Sequence, residues 1–216
     1  MGHVVKEAGW CVIDIDTTQG TIFLQERWLY TWVVQPPLLP WTLQEKRNFH
    51  NNADRAIWAA WSNRAKLRAT GTSGYARRFA GRDITINLDI RWVTANGHWS
   101  VTVTKIPPNQ FATSSVLWPQ RKITLDSNDT NVRTFVHGAG TPNTTQMPVA
   151  HEFGHAIGNS IHIGHEGDEY VDGKAHQADK TSIMNVGRSL RVRHFETIID
   201  ELNTMIPDTT FSVRAV

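Results

Sequence analysis

The sequence holds a single cysteine, Cys11, among its 216 residues. No intrachain disulfide and no cysteine-based zinc site can be built from it, and a lone thiol of this kind is expected as a small buried apolar residue. No apolar run approaches the roughly 18 residues of a helical membrane span, so none is expected. The first nine residues include Lys6 and Glu7 and no long apolar stretch, so no cleaved leader is expected either. Charge of one sign is equally scarce. Lys and Arg number 22 against 20 Asp and Glu, and the basic residues are scattered apart from small clusters at Arg77–Arg78 and Arg188–Arg193. That distribution calls for no nucleic-acid partner. Internal repeats and low-complexity tracts are also missing. With 40 % hydrophobic and 19 % charged residues the chain has the composition of a folded domain rather than a disordered one.

What is present in excess is tryptophan: nine residues, all before position 120. Core and sheet packing is the first explanation, and a groove for an extended peptide or a sugar is the second. Strand-like runs cover Trp10–Ile15, Thr21–Leu24 and Trp28–Val34, and Pro36, Pro37 and Pro40 then break the chain. Thr42, with Glu45 three residues on, has the spacing of a capping box. Apolar residues at Phe49, Ala53, Ile57, Ala60 and Trp61 predict one amphipathic helix to about Leu67. Ile84, Ile86, Leu88, Ile90 and Trp92 alternate, as do Trp99, Val101 and Val103, and Asn96-Gly97 between the two runs predicts a β-hairpin. Short strands are expected over Arg121–Leu125 and Val132–Val136. Pro148 sits just inside a helix start, a loop-rich stretch runs from Gly158 to about Asn185, and a last helix is expected from about His194 to Met205.

The chemistry concentrates at His151-Glu152-Phe153-Gly154-His155. Two histidines four residues apart lie on one helix face, so both imidazoles can reach one metal ion. Glu152 beside them is placed to act as general base towards water that the ion acidifies. Zinc is the expected cofactor, as one catalytic ion.

The run continues Ala156-Ile157-Gly158, and His151-Glu152-x-x-His155-x-x-Gly158 resembles the start of the metzincin signature. Ser182-Ile183-Met184-Asn185 is similar to the Met-turn of that clan. The resemblance covers roughly residues 42–206. Asp168-Glu169-Tyr170 and Arg193-His194-Phe195 are similar to a group of bacterial metzincin-like domains, some associated with toxins, contractile injection systems or phage-like particles. A metzincin's third ligand stands three residues after the glycine, where this chain has Ile161. If residues 160–167 are an insertion, Asp168 is the displaced ligand; His162, His165 and His176 are the alternatives. The resemblance further implies that Met184 packs under the metal rather than binding it. Tyr170 and His194 are candidates for transition-state or substrate contacts, against structural roles for each. Glu166, Asp172 and Asp179 are expected as loop charges, with Asp179 also able to brace the Met-turn.

Together these features predict an α/β (α+β) zincin-like domain: a twisted mixed sheet with a long helix, an active-site helix, a Met-turn and a C-terminal helix. Residues 1–40 are expected as an N-terminal β extension and 41–216 as the catalytic domain. The expected activity is hydrolysis of peptide bonds in a protein or peptide. The alternatives are a hydrolase of cell-wall peptide and a zinc-stabilised binding component of a particle. A cognate inhibitor or delivery machinery is the implied partner. The implied location is the bacterial cytoplasm before export by a non-classical route, or a target cell after delivery.

Overall fold

The computed structural model, which describes residues 2–216, is a mixed α/β arrangement around one large sheet. In chain order come β1 (His3–Ala8), β2 (Cys11–Asp16), β3 (Thr21–Val34), α1 (Leu43–Trp61), β4 (Lys66–Gly71), α2 (Gly74–Arg78), β5 (Ile84–Val93), β6 (Trp99–Lys105), β7 (Ser115–Leu117) and β8 (Lys122–Asp126). The short strands β9 (Arg133–Phe135) and β10 (Thr144–Gln146) form a separate hairpin. The chain closes with α3 (Pro148–Ala156), α4 (Glu196–Leu202) and β11 (Thr209–Ala215). The main sheet runs β11-β4-β5-β3-β6-β8-β7, with β2 also on β3 and β1 on β2.

The segment before the proline break is the middle of this sheet, not an extension to it. β3 pairs in parallel with β5 over Thr21–Leu29 and with β6 over Trp28–Val34. Its alternate residues Ile22, Leu24 and Trp28 are fully buried. The Pro36-Pro37 break ends a strand without ending a domain, because the strands that flank β3 come from beyond it.

The expected hairpin is corrected in the same way. β5 and β6 do not pair with each other; both run parallel to β3, on opposite edges. The five residues between them cross β3 instead of reversing the chain. Gly97 makes the crossing passable: a Cβ there would stand 2.7 Å from the Leu29 Cβ. The local Asn-Gly signal is therefore used for a close backbone approach.

The capping box at Thr42 and Glu45 is formed. The helix ends earlier than its periodicity predicts, because Ser62 leaves in an extended conformation and Asn63 takes a left-handed one. Ala65 and Leu67 are buried on or beside β4, where i, i+2 spacing mimics the tail of a helical pattern. α1 buries Phe49, Ala53, Ile57 and Trp61, and the Trp61 indole N–H donates to the Ala150 carbonyl (2.9 Å), locking α1 to α3. The tryptophans are core and packing residues. Among the nine, Trp58 alone is exposed, and none lines the recesses described below. Cys11 is fully buried, as expected. No helix among the described residues is long and apolar enough to cross a membrane.

Candidate metal centre

Every residue of α3 is buried, and Pro148 occupies its first turn, where a missing N–H costs nothing. One turn apart on this helix, His151 and His155 bring their Nε2 atoms within 3.2 Å of each other. Gly158, at φ +116°, then turns the chain out of the helix against Thr197. Residues 160–167 fold back on themselves, with the Ser160 carbonyl accepting from the Ile163 and His165 amides. This returns Asp168, whose Oδ1 lies 3.0 Å from both His151 Nε2 and His155 Nε2. The backbone fixes that return, since the Glu169 amide donates to the Met184 carbonyl (2.9 Å). Met184 itself is buried against Gly154, on the helix that carries the histidines.

The three converging atoms can all serve as metal ligands. His151 Nδ1 donates to the Ile183 carbonyl (2.7 Å) and His155 Nδ1 to the Asn159 carbonyl (2.6 Å). A carbonyl only accepts, so each Nδ1 carries a proton, and each ring in its neutral form would turn an Nε2 lone pair inward. Two imidazole lone pairs and a carboxylate oxygen turned towards one another form a group that could hold a cation. A single proton serves one pair at a time. A metal ion serves all three: tetrahedral ligands about 2.0–2.1 Å from zinc stand about 3.3 Å apart, close to the 3.0, 3.0 and 3.2 Å found here. The backbone carbonyls behind both rings are the outer partners that usually orient metal-binding histidines.

The electrostatics show a cluster that attracts positive charge, whether protons or an ion. Burial pushes the His155 imidazole down, but the Asp168 and Glu152 carboxylates outweigh it and hold the group up at about 9. Burial pushes Asp168 up, and the two histidines bring it well below the usual carboxylate range. Glu152 is 6 % exposed, and its Oε2 has no hydrogen-bond partner. Burial raises its pKa against the pull of His151 and His155. A buried carboxylate oxygen left free beside such a centre is what a proton acceptor requires.

The other predicted residues fall into place around this group. Tyr170 is 45 % exposed and lines the same cleft, its ring centroid 6.2 Å from that of His151. His194 does not reach the cleft. It is buried, its Nδ1 accepts from the Arg191 amide (3.1 Å), and its Nε2 is shared between Glu169 and Ser182. The alternative third ligands also lie elsewhere. His162 is exposed, His165 bonds Thr197 and Glu196, and His176 pairs with Glu166. The Asp179 carboxylate accepts from Thr181 Oγ1, just before Ser182, and from Arg191 and Arg193; no side-chain bond from it reaches residues 182–185.

Two recesses flank the centre, of about 320 Å³ and 290 Å³, and share Ser114, Glu152 and Tyr170 in their walls. The larger is bordered by the β9–β10 hairpin. Gln146 of that hairpin lies against His151 Nδ1 and donates to the Asn185 carbonyl (2.5 Å). Gln146 and Arg133 belong to the site and carry no spacing signal in the sequence; only the strand pairing brings them there. No family model, no curated protein and no solved structure matches this chain.

Proposed function

We propose that this chain is a zinc-dependent metallopeptidase of metzincin-like fold, with the ion held by His151, His155 and Asp168. The observation that carries the reading is the convergence of three potential ligand atoms next to a buried Glu152 with a free carboxylate oxygen. Three protein donors are the number found in catalytic zinc sites, whereas structural sites take four. Among the described residues no fourth His, Cys, Asp or Glu joins the group. That favours an enzyme over a zinc-stabilised binding component.

When bound, the ion supplies Lewis acidity and lowers the pKa of water to near neutral. The protein's own residues do the rest. Glu152 takes a proton at Oε2 from the attacking water and passes it to the leaving amine. Burial, by raising the Glu152 pKa, makes it a better acceptor near neutral pH. Tyr170, at the lip between the two recesses, is placed to donate to the developing oxyanion. Recesses on both sides of Glu152 suit a polymer that passes through the site. β7 ends the sheet, and Ser115 and Val116 on it line the smaller recess. Its free edge is suited to align an extended peptide by strand addition.

The test is Glu152→Gln. The variant is expected to retain one zinc per chain by elemental analysis and to lose about 10²–10⁴-fold in turnover on a peptide library. Full activity with zinc retained would remove Glu152 from the mechanism.

A further inference from the structure

The larger recess contains one cation that no protein group neutralises. In the β9–β10 ladder Arg133 stands directly opposite Gln146 and Phe135 opposite Thr144. Residues opposite one another, and residues two apart on a strand, share a face. That face is turned to the metal centre, since Gln146 lies against His151 while Arg133 and Phe135 line the recess. The Arg133 guanidinium lies over both the Phe111 and the Phe135 ring, 5.0 Å from each centroid. Its nitrogens make no hydrogen bond or ion pair with any described residue.

The carboxylates in the walls are not free to serve it. Asp129 accepts from Ser114 Oγ (2.6 Å) and from the Asp126 amide (2.7 Å), and Glu152 belongs to the reaction. Contacts with two rings restrict the guanidinium, which reduces the rotamer freedom to be lost when a ligand binds. A fixed planar fork of donors matches a carboxylate, to which it donates two parallel hydrogen bonds. The smaller recess lacks this feature: it presents Val116, Ile161 and Val171, and its Lys174 ammonium donates to the Glu166 carbonyl (2.8 Å).

We infer that Arg133 makes this recess a carboxylate-selecting subsite, so that the peptide bound there carries an acidic side chain or its own terminal carboxylate. The inference deepens the peptidase reading and rests on it for the position of the cut bond, but the binding preference can be measured without turnover.

Zinc-loaded Glu152→Gln protein is titrated with three pools of otherwise random octapeptides. One has a central Glu and an amidated C-terminus, one a central Gln and an amidated C-terminus, and one a central Gln and a free C-terminus. At least one carboxylate pool should bind about five- to tenfold more tightly than the Gln amide pool. Whichever pool gains identifies the source of the carboxylate. Adding Arg133→Met should bring the ratio close to one, and adding Arg133→Glu should shift the preference to a fourth pool, with a central Lys and an amidated C-terminus. Arg133 is exposed on a short hairpin, so both variants are expected to fold, with circular dichroism as the check. Equal binding of all three pools, or a preference that survives Arg133→Met, would overturn the inference. Hydrolysis by wild-type protein is followed in parallel. Failure to cut any pool counts against the peptidase reading alone and leaves the binding ratio to decide on Arg133.

Discussion

Asp168, the proposed third ligand, joins His151 and His155 from 13 residues beyond His155, and its placement has a different origin from theirs. The two histidines are held by one helix, so their spacing alone places them. Asp168 depends on the fold of 160–167 and on the hydrogen bond from the Glu169 amide to Met184. This explains what the sequence could reveal. His151, Glu152 and His155 were legible because a helix converts local spacing into geometry. Asp168 was one of four candidates, because no periodicity sets the path of a loop. Arg133 and Gln146 were not legible at all. The expected outcome of Asp168→Ala is a loss of zinc affinity of more than about 100-fold, since removing even an outer partner of a ligand costs 10–100-fold. His162→Ala, His165→Ala and His176→Ala should each stay within about threefold of wild type. Competition against a chromophoric chelator measures all four. Zinc retained by Asp168→Ala and lost by one of the histidine variants would reassign the third ligand.

At the scale of elements, the segment from Asn159 to Leu190 carries Asp168 and Met184 with almost no regular structure. Charged side chains hold it together. Glu169 is buried and receives Arg193 through Nε (2.7 Å) and Nη2 (2.9 Å), while Asp179 receives Arg191 through Nε (2.7 Å) and Nη2 (2.6 Å). Both arginines stand at the short turn that leads into α4, so the clamp fastens the ligand loop to the C-terminal helix. The charges are visible in the sequence; their partners, 12 to 24 residues apart, are not. Burial pushes Glu169 up, but His194, Arg193 and Ser182 prevail and hold it at about 2. Arg191, first among its partners, holds Asp179 well below the usual carboxylate range. A depressed carboxylate pKa stabilises the fold above its unfolded value and loses that contribution as pH falls through the folded one. Melting temperature should therefore be level near neutrality and fall between about pH 4.5 and pH 2. Arg193→Met, which strands Glu169 in the interior, should lower the melting temperature at pH 7 by roughly 5–10 °C and flatten the acid decline. Calorimetry from pH 2 to 8 measures both. An unchanged acid limb in the variant would mean that other carboxylates set it.

For the whole molecule, the decisive element is β3. Alternation in the sequence correctly marks Thr21–Leu24 and Trp28–Val34 as extended, but alternation says nothing about which strands become neighbours. The proline pair after β3 looks like a boundary because it stops local structure, and the Asn96-Gly97 turn looks like a hairpin because it joins two alternating runs. Both inferences assume that contacts follow chain order. The sheet does not: β3 sits between β5 and β6, which arrive some 50 to 70 residues later. Placement at the centre has an energetic consequence. Removing β3 exposes two ladders of backbone donors and acceptors at once, together with the core face that packs Ile22, Leu24 and Trp28. A chain beginning at residue 41 is therefore expected not to fold and not to hold zinc, although it keeps every proposed ligand. A chain beginning at residue 10 loses only β1, an outer strand paired with β2 alone, and should keep a cooperative, lower melting transition and full zinc content. Amide dispersion in a two-dimensional NMR spectrum, read beside metal analysis, separates these outcomes. Native-like dispersion and bound zinc in the 41–216 chain would mean that the first 40 residues are an extension after all.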